Sequence, residues 1–188
     1  MTGQQPVTRI RVWDALVRSL HWTLAAAMAT AVISGHWPPA DFDAVHHTAG
    51  YVAAAAVALR LLWGFRGSPH ARLAQFVRRP REVLAYARAL RAGKEPRYIG
   101  HNPLGGWMVL LLWGSAAAAS LSGRLYTTDW LWGYAWLSDL HAALAWLIVA
   151  LVIGHLGGVA LTSWRHRENL VAAMFSGRKR APGRGDIG

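Results

Sequence analysis

The stretch Leu140–Thr162, LHAALAWLIVALVIGHLGGVALT, decides how the rest of the chain is read. It is almost purely apolar, yet it carries two histidines, His141 and His155, 14 residues apart. At about 100° and 1.5 Å per residue, both rings leave nearly the same helix face roughly 21 Å apart along the axis. A bilayer's hydrocarbon core is about 30 Å deep. Two imidazoles on one stripe, one near each membrane face, read as two stacked metal centres. The remaining chain must supply their partners.

The 188 residues are 54% apolar with 11 Trp, and the apolar residues are bunched into four long runs. The mean hydropathy of +0.21 is moderate because the segments between the runs are strongly basic. Four runs with short connections predict an all-α fold, an integral membrane four-helix bundle forming one domain over residues 1–180. The expected spans are about residues 20–37, 45–63, 103–123 and 140–162. The opening residues lack a signal-peptide pattern, so the first run is read as a retained anchor. Residues 181–188 are expected to form a disordered tail. The chain has no cysteine, which excludes disulfides, iron–sulfur ligation and thioether-linked haem; a metal centre must use histidine or methionine.

The net charge of +11 is distributed by side. Arg9, Arg11 and Arg18 precede the first run, nine basic residues lie between the second and third, and six follow the fourth. The other two connections hold only Arg124, against Asp41, Asp43, Asp129 and Asp139. This is the positive-inside pattern, with both termini expected to be cytoplasmic. It accounts for the basic excess through topology and contact with anionic lipid, so no nucleic-acid partner is called for.

Along the chain, the first run ends in SGHWPP, where Pro38 and Pro39 stop the helix before a short acidic loop over 40–44. The second, Ala-rich run begins at His46 and His47 and ends with Arg60 and Trp63 at the basic interface. Pro80 then opens a surface helix over about residues 80–92, with Val83, Leu84, Ala87 and Leu90 as its apolar stripe. The third run opens with GHNPLGGW and contains no internal histidine. Tyr126, Trp130, Trp132, Tyr134 and Trp136 crowd the connection to the fourth run and read as an interfacial belt and a docking surface. No convincing internal repeat is visible.

The topology gives each histidine a depth. His21 and His155 fall near the inner face; His46 or His47 falls near the outer face with His141. A single helix histidine is more often a satisfied polar group than a ligand. Four at matched depths, joining different helices, match axial ligation of two non-covalent b-type haems, since a flat porphyrin takes one imidazole on each side. The 14-residue spacing recurs: Gly35 follows His21 and Arg60 follows His46. A glycine there leaves room for the outer porphyrin, and an arginine can pair with an inner-haem propionate. This spacing favours His46 over His47.

The motifs VWDALVRSLHW, HHTAGYVAAAAVALRLLWGF, GHNPLGGWM and LHAALAW…GHLGGVALTSWRHRENLVAAMFSGRKR resemble the prokaryotic cytochrome b561 family, which includes cytochrome b subunits of membrane nickel–iron hydrogenases. The resemblance runs from Val12 to Arg180. It implies a four-helix, di-haem protein with ligands from helices one, two and four, here His21, His46, His141 and His155. Where the family often has an acidic residue after the helix-two histidine, this chain has His47, which stays open as the alternative ligand. The resemblance implies electron transfer between a periplasmic redox partner, such as a c-type cytochrome or hydrogenase, and membrane quinone. His101 and Asn102 sit where a quinone headgroup or a propionate could bind, or where Asn102-Pro103 starts a helix. A stand-alone superoxide:quinone oxidoreductase is the alternative, and the reading admits a homodimer. A histidine-relay proton transporter is remote, because the runs contain no central Asp or Glu.

Overall fold

The computed structural model describes residues 8–36 and 43–188; Pro38, Pro39 and most of the acidic loop over 40–44 lie outside the described residues. Among the described residues four helices are long and apolar enough to cross a membrane: α1 (Ala15–His36), α2 (Asp43–Arg66), α5 (Pro103–Tyr126) and α6 (Ala135–Arg165). The short helix α3 (Leu73–Phe76) and the helix α4 (Pro80–Arg91) lie between α2 and α5. Helix α7 (Leu170–Ser176) follows α6, and two short strands, β1 (Arg9–Arg11) and β2 (Arg178–Arg180), pair antiparallel. The fold is that of an all-α membrane helical bundle.

Helix α1 starts five residues before the apolar run expected from the sequence, and the cause is a cap. Asp14 Oδ1 accepts from the Val17 N–H at 2.8 Å, satisfying one of the first-turn donors that a helix leaves open. Its other carboxylate oxygen takes the Ser68 hydroxyl at 2.5 Å. Helix α5 starts at Pro103, as the Asn-Pro pair indicates, with Asn102 Oδ1 accepting from the Gly105 N–H at 2.7 Å.

The chain divides into two compact units. One consists of Ser19–Trp63 and Met108–His155. Its interior is built from small residues: Ala49, Ala53 and Ala56 on α2 and Ala116 and Ala119 on α5 are all buried. Side chains of this size let helix backbones approach closely where lipid supplies no hydrophobic drive. Ser120 Oγ donates to the Gly50 carbonyl at 3.1 Å and ties α5 to α2.

The other unit consists of Met1–Arg18, Gly64–Trp107 and Leu156–Gly188. Within it α4 is amphipathic, but its buried residue is Tyr86, whose ring meets Tyr98 edge-on at 5.6 Å, while Leu84 is exposed. Val83, Ala87 and Leu90 of the expected stripe are half-buried beside Tyr86. Arg165 fixes the end of α4 by donating to the Leu90 carbonyl at 2.7 Å and to both Glu95 oxygens at 2.9 Å.

The expected disordered tail over residues 181–188 is corrected by this unit. Ile187 forms a bridge beside Tyr98, exchanging backbone hydrogen bonds with Arg97 and Ile99 at 2.8 Å each. The clamp is Arg97, a buried guanidinium that donates to Glu168 Oε1 at 2.7 Å, to Glu168 Oε2 at 3.2 Å, to the Arg180 carbonyl at 2.8 Å and to Asp186. Lys179 lies buried beside it and donates to the Ile99 carbonyl at 2.9 Å. Composition made the tail look disordered because its Gly, Pro and Arg content hides one acidic residue, Asp186, with a buried partner 89 residues upstream.

Removing one member of a buried ion pair costs about 3–5 kcal/mol, so Arg97→Ala should release the tail. Hydrogen exchange at the Ile99 and Ile187 amides would report it as lost protection. Burial alone pushes the Glu168 and Asp186 carboxyls up. Hydrogen bonds from Arg97 and from the Arg180 and Gly183 N–H groups, with the nearby positive charges, more than offset this and hold both below their usual values. A carboxylate depressed in the folded state stabilises above its unfolded pKa and loses that contribution as pH falls through its folded value. Protection at Ile187 should thus stay level near neutrality and decline below about pH 4.

Candidate functional site

The unit made of Ser19–Trp63 and Met108–His155 brings the four sequence-selected histidines together as two pairs. His21 on α1 faces His155 on α6 with ring centroids 6.4 Å apart. His46 on α2 faces His141 on α6 with centroids 5.9 Å apart. All four rings are half-buried. Helix α6 therefore contributes one member to each pair, and α1 and α2 contribute the other.

The second pair is held by two matching cradles. His46 Nδ1 lies 2.9 Å from the Ala31 carbonyl and 3.4 Å from Ser34 Oγ, both on α1. His141 Nδ1 lies 3.0 Å from the Ala119 carbonyl and 3.1 Å from Ser122 Oγ, both on α5. A carbonyl oxygen only accepts, so Nδ1 carries the proton in both rings and Nε2 carries the lone pair. Each cradle also has a glycine wall. A Cβ placed on Gly35 would meet His46 Cε1 at 3.1 Å, and one on Gly123 would meet His141 Cε1 at 2.9 Å. The two segments are AVISG over 31–35 and ASLSG over 119–123, a local Ala-x-x-Ser-Gly repeat. Sequence reading at the scale of whole helices passed over it, although the matching polar and small positions were present in the first and third runs.

His47, the alternative to His46, points elsewhere: its Nε2 lies 3.6 Å from Asp43, one helical turn back. Gly35 lines the His46 ring, as its placement at the second level implied, but through contact with the imidazole. Arg60 is buried, and its guanidinium lies over the Trp113 ring of α5 at 5.0 Å from the centroid. An arginine serving only as a surface anchor would keep its head group in water; this one turns into the helical unit.

His101 and Asn102 belong to the other unit. The His101 ring packs between Trp13 and Phe76, each with centroids 4.8 Å away. Asn102 spends its side-chain oxygen on the cap of α5. His36 bonds to the Val32 carbonyl at 2.9 Å within its own helix and stands edge-on to Trp146.

The histidine pairs fit a haem in three respects. A metal held between two imidazole nitrogens at about 2.0–2.1 Å each puts the ring centres about 6 Å apart, as in both pairs here. In the His46–His141 pair the Nδ1–H bonds leave both Nε2 lone pairs for a metal, the usual arrangement of a metal-binding histidine. Among the described residues no group of three His, Cys, Asp or Glu converges. Two imidazoles are a sufficient protein ligand set when a macrocycle supplies the other donors.

Residues 12–177 match the prokaryotic cytochrome b561 family. The protein named Probable Ni/Fe-hydrogenase B-type cytochrome subunit in Rhodobacter capsulatus is 27% identical, the match covering 92% of this chain and 82% of the relative. Its namesake in Rhizobium leguminosarum bv. viciae is 24% identical over 94% of this chain and 92% of the relative. That of Azotobacter vinelandii is 27% identical over 93% and 91%. With four apolar helices and a family match across most of its length, the chain belongs to the prokaryotic cytochrome b561 family, membrane b-type cytochromes that carry electrons.

Proposed function

We propose that this protein is a di-haem b-type cytochrome that passes electrons across the bacterial inner membrane between the quinone pool and a periplasmic redox partner. The observation that carries the reading is the pair of imidazole couples, 6.4 Å and 5.9 Å between centroids, on a shared helix α6. His21 and His155 would hold one haem, and His46 and His141 the other. Each haem, when bound, supplies a reversible one-electron iron couple. The names of the relatives point to a nickel–iron hydrogenase as the partner.

The chain's own residues organise the path. His141 and His155 lie on one continuous helix, so its rise sets the two centres roughly 21 Å apart along the membrane normal. Charge asymmetry supports cytoplasmic termini, which puts the His21–His155 centre at the inner face and the His46–His141 centre at the outer. A periplasmic partner would then lie nearest His46 and His141. Trp130 and Trp132, exposed in the connection between α5 and α6, and Trp136, exposed in the first turn of α6, supply the adjoining apolar docking surface. Arg60, buried over Trp113, would hold an inner-haem propionate, because a guanidinium in a low-dielectric site favours an anionic partner. His101, packed against Trp13 and Phe76, is offered as a quinone-headgroup contact within its own unit. Asn102 is reserved for capping.

A reduced-minus-oxidised spectrum of the purified protein should show a b-type signal, with about two haems per chain. Haem content near zero overturns the reading. His155→Ala should remove one haem and His141→Ala the other; full occupancy of both centres in either variant would refute the pairing. Gly123→Ala pushes a methyl to within 2.9 Å of the His141 ring. It should lower occupancy of the outer centre more than Gly35→Ala, whose methyl would stand at 3.1 Å, as measured by haem-to-protein ratio.

A further inference from the structure

The twin cradles do more than hold two rings. In each, the serine hydroxyl has its own proton committed within its helix: Ser34 Oγ donates to the Thr30 carbonyl at 2.7 Å, and Ser122 Oγ to the Ala119 carbonyl at 3.0 Å. A hydroxyl that has spent its donor turns a lone pair outward. In both cases an imidazole Nδ1–H lies in range, so that proton is shared between a backbone carbonyl and a hydroxyl oxygen. Two acceptors on one N–H draw the proton off the ring further than one does, making the ring a stronger electron donor through Nε2. Ser34 and Ser122 are buried, at 7% and 4% exposure, so water does not compete for these contacts. Neither ring of the His21–His155 pair has a hydrogen bond of this kind among the described residues, so the device belongs to one centre.

Resting on the ligand reading above, we infer that Ser34 and Ser122 are positioning residues that tune the outer haem. By accepting from Nδ1–H of His46 and His141 they enrich both axial ligands and hold that haem's reduction potential down, leaving the other haem untouched. The potential of a haem follows axial-ligand donation and the hydrogen bonding behind it. The oxidised iron gains more from a donating imidazole than the reduced iron does, so losing an acceptor raises the potential. The contact is shorter at Ser122, 3.1 Å against 3.4 Å, and Ser122 has the larger effect.

The test is a spectroelectrochemical titration of the detergent-purified holoprotein and of Ser34→Ala, Ser122→Ala and the double variant. The component lost in His141→Ala identifies the outer haem. The expected result is a positive shift of that component alone, larger for S122A than for S34A and largest for the double variant. Ser122→Thr keeps the hydroxyl and should return the potential to the parent value, which a packing effect alone would not do. Two haems at full occupancy with unmoved potentials, a negative shift, or a threonine variant that behaves like alanine would overturn the inference. If S122A fails to hold haem, S34A decides by the same criteria. A parent protein lacking two haems, or one that keeps both in His141→Ala, would defeat the ligand reading itself.

Discussion

The constraint on which this molecule turns is the fixed aim of an imidazole ring inside a helical unit. A histidine on a membrane helix can rotate about two bonds, and a rotating ring cannot hold one side of a planar group. His46 and His141 are stopped by hydrogen bonds from Nδ1 to a carbonyl of a neighbouring helix. Once Nδ1–H is committed, the tautomer and the direction of Nε2 follow together. The small interior residues of α2 and α5 belong to the same requirement. They let helix backbones approach closely, as where Ser120 of α5 reaches the Gly50 carbonyl of α2.

The unit containing the chain termini solves a different problem. It gathers many basic residues, and most of their charge is left exposed, where mutual repulsion is screened. The exceptions are Arg97 and Lys179, buried against Glu168 and Asp186. Such a network adds little net stability over an apolar core, but breaking it is costly because a charge is stranded. It also ties the paired segments together, since Arg97 reaches the Arg180 carbonyl on β2 and Asp186 beside Ile187.

Much of this was legible in the sequence. Four apolar runs gave the four long helices, because hydropathy over some 20 residues is a strong signal. The partners of His141 and His155 followed from charge asymmetry and depth, since a ring can meet only rings at its own level. Other features were hidden for identifiable reasons. The start of α1 at Ala15 depends on the side chain of Asp14, which a hydropathy window averages away. The ordered tail depends on one ion pair between residues far apart in sequence. The burial of Arg60 could not be told from anchoring at an interface, because both place an arginine at the end of an apolar run; only its contact with Trp113 separates them.

The Ala-x-x-Ser-Gly cradle shows why five unremarkable letters carry a site. A helical side chain leans back over the turn N-terminal to its own Cα. The residue four places on is therefore the one that covers a given carbonyl. With glycine at that place, Gly35 for Ala31 and Gly123 for Ala119, the carbonyl is uncovered and an incoming ring can reach its second lone pair. Serine one residue earlier, 100° around the helix, stands at the edge of the opening with its oxygen toward the same nitrogen. Alanine, as the residue that owns the carbonyl, adds no bulk. Each letter answers a steric or hydrogen-bonding demand of the ring that docks there. The same answer on α1 and on α5, for histidines of two other helices, marks the demand as the ring's own and not an accident of either helix.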